Sequence, residues 1–244
     1  MRVDLSFINV YKKKSFKSEV VTQLLYGDTF NILKREKSWL KIKNNLDNYK
    51  GFIKTRKFPI NQKNTHKVKN LNARLYFKPS VKGIIKKKLY FGSKIKIIKK
   101  KNKFYKFDNY WIKKKDIVDI KFKTKNIFTN IKKFINVRYK WGGKHSGGID
   151  CSALVQIFLN FDNKYCPRDT SDQIKFFKKK IKYKNIKKND LIFWKGHVAI
   201  IISKKKLIHA YGPLKKTVIM PIQKTIDRIY KTANLKVVGF RRIS

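Results

Sequence analysis

A ten-residue pattern that occurs twice constrains this chain more than any other feature. Leu24-Leu25-Tyr26-Gly27-Asp28-Thr29-Phe30-Asn31-Ile32-Leu33 matches Leu89-Tyr90-Phe91-Gly92-Ser93-Lys94-Ile95-Lys96-Ile97-Ile98 at an offset of 65 residues. Each copy runs three apolar residues, glycine, two spacers, then apolar-x-Ile-apolar. Glycine suits a tight turn, and alternation after it reads as a half-buried strand. Each copy continues into a further strand, Trp39-Leu40-Lys41-Ile42 and Phe104-Tyr105-Lys106-Phe107. Each then closes on an aromatic-Ile-Lys, Phe52-Ile53-Lys54 and Trp111-Ile112-Lys113. Short strands split by turns, without helical periodicity, predict two small β-barrels, over residues 1–62 and 63–120.

The pattern changes near residue 121. Ile127, Phe128, Ile131, Phe134 and Ile135 recur at helical spacing. A second helix is expected from Cys151 to Asn160, and a third from Ser171 to Ile181 with Ser171 as N-cap. Strand-like runs follow at Asp190–Trp194, His197–Ile202, Leu207–Ala210 and Val237–Phe240. Helices first and antiparallel strands after predict an α+β domain over residues 121–244. No stretch approaches the roughly 20 apolar residues of a membrane span. The first residues lack a basic segment followed by an apolar run, so a cytoplasmic location is expected, with export to the cell wall or periplasm as the alternative.

Charge sets the expected partners. Lys+Arg total 63 against 14 Asp+Glu, a net charge of +49. Lysine supplies 54 of the 63 and arginine 9, whereas reading of bases and phosphates favours arginine forks. The excess is spread as +9, +16 and +24 over residues 1–62, 63–120 and 121–244, where a nucleic-acid footprint would cluster. Compositional bias therefore explains the lysines better than a specific nucleic-acid role. Non-specific attraction to polyanions at low salt is expected in either case.

The chemistry concentrates around one cysteine. Tyr139-Lys140-Trp141-Gly142-Gly143 and Gly148-Ile149-Asp150-Cys151-Ser152 place Cys151 where a glycine-rich loop enters an amphipathic helix. A helix N-terminus favours thiolate, the nucleophilic form. His197 starts one strand and His209 ends the next, so antiparallel pairing brings the imidazoles together, one to activate the thiol and one to orient it. Taken alone, a cysteine at a helix start is most often a small buried hydrophobe. The ordered histidines favour the nucleophile. Cys166 lacks that context and reads as structural. With two cysteines and no CxxC or HxxxH spacing, neither a disulfide scaffold nor a metal site is expected. His66 and His145 read as surface residues.

These segments resemble the NlpC-type cysteine peptidases of the papain-like group, which cut bacterial cell-wall peptides. The resemblance rests on Tyr139-x-Trp141-Gly142-Gly143, Asp150-Cys151-Ser152, Pro167-Arg168-Asp169 with Gln173, Asp190-Leu191-Ile192-Phe193, Gly196-His197-Val198-Ala199-Ile200 and Ile208-His209-Ala210. The N-terminal repeats look like bacterial SH3-like modules. The implied fold is an α+β papain-like catalytic domain preceded by two SH3-like β-barrels. The implied roles are Cys151 as nucleophile, His197 as general base and acid, His209 as the orienting third member, and Tyr139 as an aid to the oxyanion. The implied substrate is a murein peptide, cut at the γ-D-glutamyl-L-diamino acid bond and carrying a free N-terminal L-Ala. Asp150 matches the residue that binds that amine and Ser152 the one that holds D-Glu. Trp141, Thr170 and Ser171 line the same cleft, and Asp28 and Tyr49 of the first repeat are further candidates for the amine end. Ala153 stands where glycine is usual, and Asp28 where glutamate is commoner. No metal or cofactor is implied. Two alternatives are a secreted hydrolase of intact peptidoglycan and a polyanion-binding protein whose catalytic domain is inactive.

Overall fold

The structure, a computed structural model, describes residues 1–243. It divides into two compact units. The first comprises residues 1–123, 142–146 and 161–163; the second comprises residues 124–141, 147–160 and 164–244.

In the first unit, β1 (Phe7–Tyr11), β2 (Val20–Leu25), β3 (Phe30–Glu36), β4 (Trp39–Asn44) and β5 (Lys50–Lys54) form an antiparallel sheet in the order β2-β1-β5-β4-β3. Its inward positions, including Val10, Leu24, Phe30, Leu40, Ile42 and Ile53, build one core. A second strand set follows: β6 (His66–Val68), β7 (Asn72–Tyr76), β8 (Ile84–Tyr90), β9 (Lys94–Ile95), β10 (Lys99–Lys101), β11 (Phe104–Phe107), β12 (Tyr110–Lys113) and β13 (Ile117–Asp119). They order as β10-β11-β12-β7-β8 and β13-β6-β9.

The sequence repeat is a structural repeat of one turn. Gly27 and Gly92 sit at φ +80° and +86°, backbone that only glycine adopts freely. A Cβ on Gly27 would lie 2.0 Å from the Lys94 carbonyl oxygen. One residue on, the Asp28 carboxylate accepts the Leu25 N–H at 2.8 Å, and the Ser93 hydroxyl accepts the Tyr90 N–H at 3.2 Å. The same local bond thus recurs with a different side chain.

The two strand sets fall within one compact unit, and specific bonds join them. Lys94 N–H donates to Tyr26 O at 2.8 Å, and Ser6 Oγ to Lys88 O at 2.6 Å. Arg2 forks onto Asp108 with both bonds at 2.9 Å, and the Tyr26 hydroxyl donates to the same carboxylate. Residues 142–146, with β14 (Lys144–His145), belong to this unit as well. Gly142, at φ +70°, leaves no room for a Cβ against the Val20 carbonyl, and Lys144 N–H donates to Gln23 Oε1 at 2.8 Å. His145 is therefore buried rather than exposed as expected, with Phe7 and Tyr90 each 4.2 Å from its ring.

The second unit holds β15 (Gly148–Ile149), α1 (Cys151–Phe161, ending in the first unit), α2 (Thr170–Phe176), β16 (Lys179–Ile181), β17 (Leu191–Trp194), β18 (His197–Ile201), β19 (Lys206–Tyr211), β20 (Lys216–Pro221), α3 (Ile222–Ala233) and β21 (Val237–Arg242). Its sheet is antiparallel in the order β16-β21-β17-β18-β19-β20. Ile192, Trp194, Ala199, Leu207 and Tyr211 pack with Ile222 and Ile229 of α3 into a core.

Two helical expectations fail here. Residues 127–135 yield only a 3₁₀ turn at Ile131–Phe134, flanked by Asn130 at φ +67° and Asn136 at φ +64°. Left-handed residues interrupt the helical ladder, yet Phe128 and Phe134 still pack on Phe158. The expected helix at 171–181 begins one residue earlier, behind Asp169 as N-cap rather than Ser171, and stops at Phe176. Residues 179–181 pair with β21 instead. The helix α3 and the strand β20 have no counterpart among the elements expected from the sequence. No helix among the described residues is long and apolar enough to cross a membrane.

Candidate active site

Asp150 starts the site by capping a helix. Its Oδ1 accepts the Ala153 N–H at 2.8 Å, and its carbonyl accepts the Leu154 N–H at 3.0 Å. Cys151 is thereby the first residue of α1, with an N–H that has no acceptor within the helix. The Asp150 carboxylate is held further by Arg168, whose Nη1 and Nη2 donate to Oδ1 and Oδ2 at 3.1 and 2.5 Å. Arg168 Nη1 also donates to Ser152 Oγ at 2.8 Å, and Ser152 Oγ to Asp150 Oδ1 at 3.2 Å. Gln173 Nε2 ties Ser152 O to Pro167 O, each at 2.9 Å. A buried carboxylate needs such partners. Arg168 is thus a load on the site's geometry that the sequence named only as part of a motif.

Cys151 is a free thiol and buried. Thr170 Oγ1 lies 4.0 Å from its sulfur. Helix entry was expected to favour thiolate. Burial, and next the Asp150 charge, instead push the thiol up to about 11. The resting sulfur is a neutral thiol.

The histidines come together through strand register. In β18 and β19, Ile200 faces Ile208 and Ile201 faces Leu207. Period-two alternation then puts His197 and His209 on one face as diagonal neighbours. His197 Nε2 and His209 Nδ1 are 2.8 Å apart. His209 is fully buried, stacked on Tyr211 with ring centres 4.6 Å apart, and its Nε2 lies 3.4 Å from Met220 Sδ. Burial lowers His197 to about 4 and lowers His209 well below the ordinary imidazole value, so both rings are neutral at pH 7.

Tyr139 packs its ring 3.5 Å from where a Cβ on Gly212 would stand. Burial first, and the Asp150 charge and a thiolate at Cys151 in addition, raise its phenol and keep it a protonated donor. Trp141 is exposed, Thr170 buried and Ser171 exposed. Asp28 and Tyr49 belong to the first unit. Asp28 is buried in its turn with Lys94 Nζ and Lys144 Nζ at 3.8 and 4.0 Å; Tyr49 is half-buried, its N–H donating to Asp47 Oδ1 at 3.0 Å. Cys166 is buried, its thiol 3.5 Å from Pro167 O. Among the described residues no group of three or more His, Cys, Asp or Glu is placed to hold a metal ion.

Residues 136–235 match the NlpC/P60 family model, and residues 6–57 match the bacterial SH3 domain model. The chain is 33% identical over 85 residues to dipeptidyl-peptidase 6 of Lysinibacillus sphaericus, covering 35% of this chain and 31% of that protein. It is 35% identical over 80 residues to a probable endopeptidase NlpC homolog of Haemophilus influenzae, covering 32% of this chain and 43% of that protein. The matched region thus spans less than half the length of these curated relatives. An NlpC/P60 family protein from Bacillus cereus has the same fold, with a TM-score of 0.81 at 19% identity over 99% of this chain and 98% of that one.

Proposed function

We propose that this chain, which carries an NlpC/P60 domain behind an N-terminal bacterial SH3 domain, is a cysteine peptidase that cuts the γ-D-glutamyl-L-diamino acid bond of murein peptides. One observation carries the reading. Cys151 opens a helix capped by Asp150, and His197, in the same unit, is paired with His209.

His197 takes the thiol proton, and the sulfur attacks the γ-carbonyl carbon. The oxyanion accepts the Cys151 N–H and the Tyr139 hydroxyl. The imidazolium returns the proton to the leaving amine as the C–N bond breaks. Water, deprotonated by His197, then hydrolyses the thioester and restores the thiol. Ser152, Trp141, Thr170 and Ser171 are assigned to the substrate's peptide part. Asp150 is assigned to the free amine of L-Ala, a group that needs a carboxylate partner once out of water. A second, SH3-like role for residues 63–120, and recycling of peptides in the cytoplasm, complete the proposal.

Mass spectrometry of L-Ala-γ-D-Glu-diaminopimelate incubated with the protein tests it, beside a Cys151→Ala control and an N-acetylated peptide. Release of L-Ala-D-Glu by the unaltered protein alone is expected. Equal cleavage of the acetylated peptide would remove the amine assignment and the recycling role. Release by the Cys151→Ala variant would overturn the nucleophile.

A further inference from the structure

We propose that Met220 is a positioning residue: its thioether sulfur accepts the Nε2 proton of His209 and so leaves the Nδ1 of His197 bare to receive the Cys151 proton. The catalytic meaning of this contact rests on the peptidase reading; the chain of hydrogen bonds rests on the two contact distances and on both rings being neutral.

A thioether sulfur has no proton to give and accepts only weakly. Its 3.4 Å contact with His209 Nε2 is therefore a hydrogen bond only when that nitrogen bears the proton. A neutral imidazole carries one proton, so His209 Nδ1 is then an acceptor. The nitrogen 2.8 Å away is His197 Nε2, which must then be the donor. His197 is neutral too, and with its proton on Nε2 its Nδ1 holds an open lone pair. That is the tautomer a general base requires. The opposite assignment would put the proton on His197 Nδ1 and offer the thiol a donor instead of an acceptor.

The fold places Met220 for this task. β19 and β20 pair with Leu207 opposite Met220 and His209 opposite Val218. Met220 is thus the diagonal neighbour of His209 on one face of the sheet. It is half-buried and packs into the core formed with α3. Tyr211 stacks on the His209 ring, which fixes the ring plane and leaves the two ring nitrogens aimed at His197 and Met220. In the transfer, the S–H bond breaks and an Nδ1–H bond forms. His197 becomes imidazolium, keeping its Nε2–H donated to His209 Nδ1, and the sulfur becomes thiolate.

The test is to read the tautomers by ¹⁵N NMR of imidazole-labelled protein and the rate of Cys151 alkylation by iodoacetamide, located by mass spectrometry. In the unaltered protein His209 and His197 are each expected to carry the proton on Nε2. A His209 proton on Nδ1 would overturn the proposal without any variant. Met220→Leu removes the acceptor at nearly constant volume, an exchange cores tolerate. It is expected to shift His209 and His197 towards Nδ1–H and to slow alkylation about threefold to tenfold, the effect of one neutral hydrogen bond. Met220→Gln, whose amide oxygen accepts, is expected to restore both. An unshifted tautomer in the Leu variant, a shift without slower alkylation, or no recovery in the Gln variant would each overturn it. Neither readout uses a murein peptide, so failure of the peptidase reading shows separately, as absence of peptide cleavage by the unaltered protein.

Discussion

At the residue scale, the reacting groups rest as a neutral thiol and two neutral imidazoles because burial outweighs every nearby charge. His197 serves as a base only while unprotonated, so activity falls as pH drops through its lowered value of about 4, not through the ordinary imidazole value near 6.5. A kcat/KM profile between pH 3.5 and 8 checks this; an acid limb centred at 6 to 7 would contradict it. The same depression has a stability consequence. The unfolded imidazole takes up a proton that the folded one refuses, so stability declines as pH falls from about 6.5 towards 4. Arg168 gives a second expectation. Arg168→Lys keeps the charge and loses the fork onto Asp150, which is expected to cost about 1–3 kcal/mol of stability and to lower kcat/KM. A variant with wild-type melting and kinetics would show that the fork is dispensable. Asp150, Cys151 and Ser152 were legible because they are contiguous with a glycine-rich approach and a helical pattern. Met220 was not, because nothing local links it to His209; the pairing of β19 with β20 does.

At the scale of elements, apolar periodicity proves ambiguous. Ile222, Ile226 and Ile229 repeat at helical spacing and form α3; Ile127, Ile131 and Phe134 do so as well and form a single 3₁₀ turn. The difference lies in where left-handed asparagines fall. Asn130 and Asn136 bracket the turn, whereas Asn234, at φ +52°, closes α3 only after twelve residues. Ile229 is buried in the core beneath α3, and Ile229→Ala is expected to destabilise by about 2–5 kcal/mol. Chemical denaturation measures it, and a loss under 1 kcal/mol would show that α3 contributes little to that core. Gly27→Ala is expected to cost more than about 1 kcal/mol, since both φ and the Lys94 carbonyl oppose a side chain. Thermal melting decides that case, where an unchanged midpoint would mean the turn relaxes.

At the scale of the molecule, charge and architecture separate. The +49 is spread over all parts of the chain, so retention on a polyanionic column is expected to fall steeply with salt. No single lysine substitution should shift the elution by more than its share of charge; one that abolished retention would reveal a localised site. Asp108 joins the two strand sets of the first unit through Arg2 and Tyr26. Asp108→Ala leaves a largely buried guanidinium without its carboxylate. Local or repeated features were readable along the chain: the glycine turns at 27 and 92, the strands that flank them, the start of α1 at Cys151, and the strands carrying His197 and His209. Features that depend on partners distant in the chain emerged with the folded sheets. These include Arg168 on Asp150, His145 between Phe7 and Tyr90, the end of α2 at Phe176, and the contact of His209 with Met220. The physical reason is that backbone propensity and period act over a few residues. Burial, proton position and pKa are set instead by whatever side chains the completed sheet brings within about 4 Å, the range of direct side-chain contact.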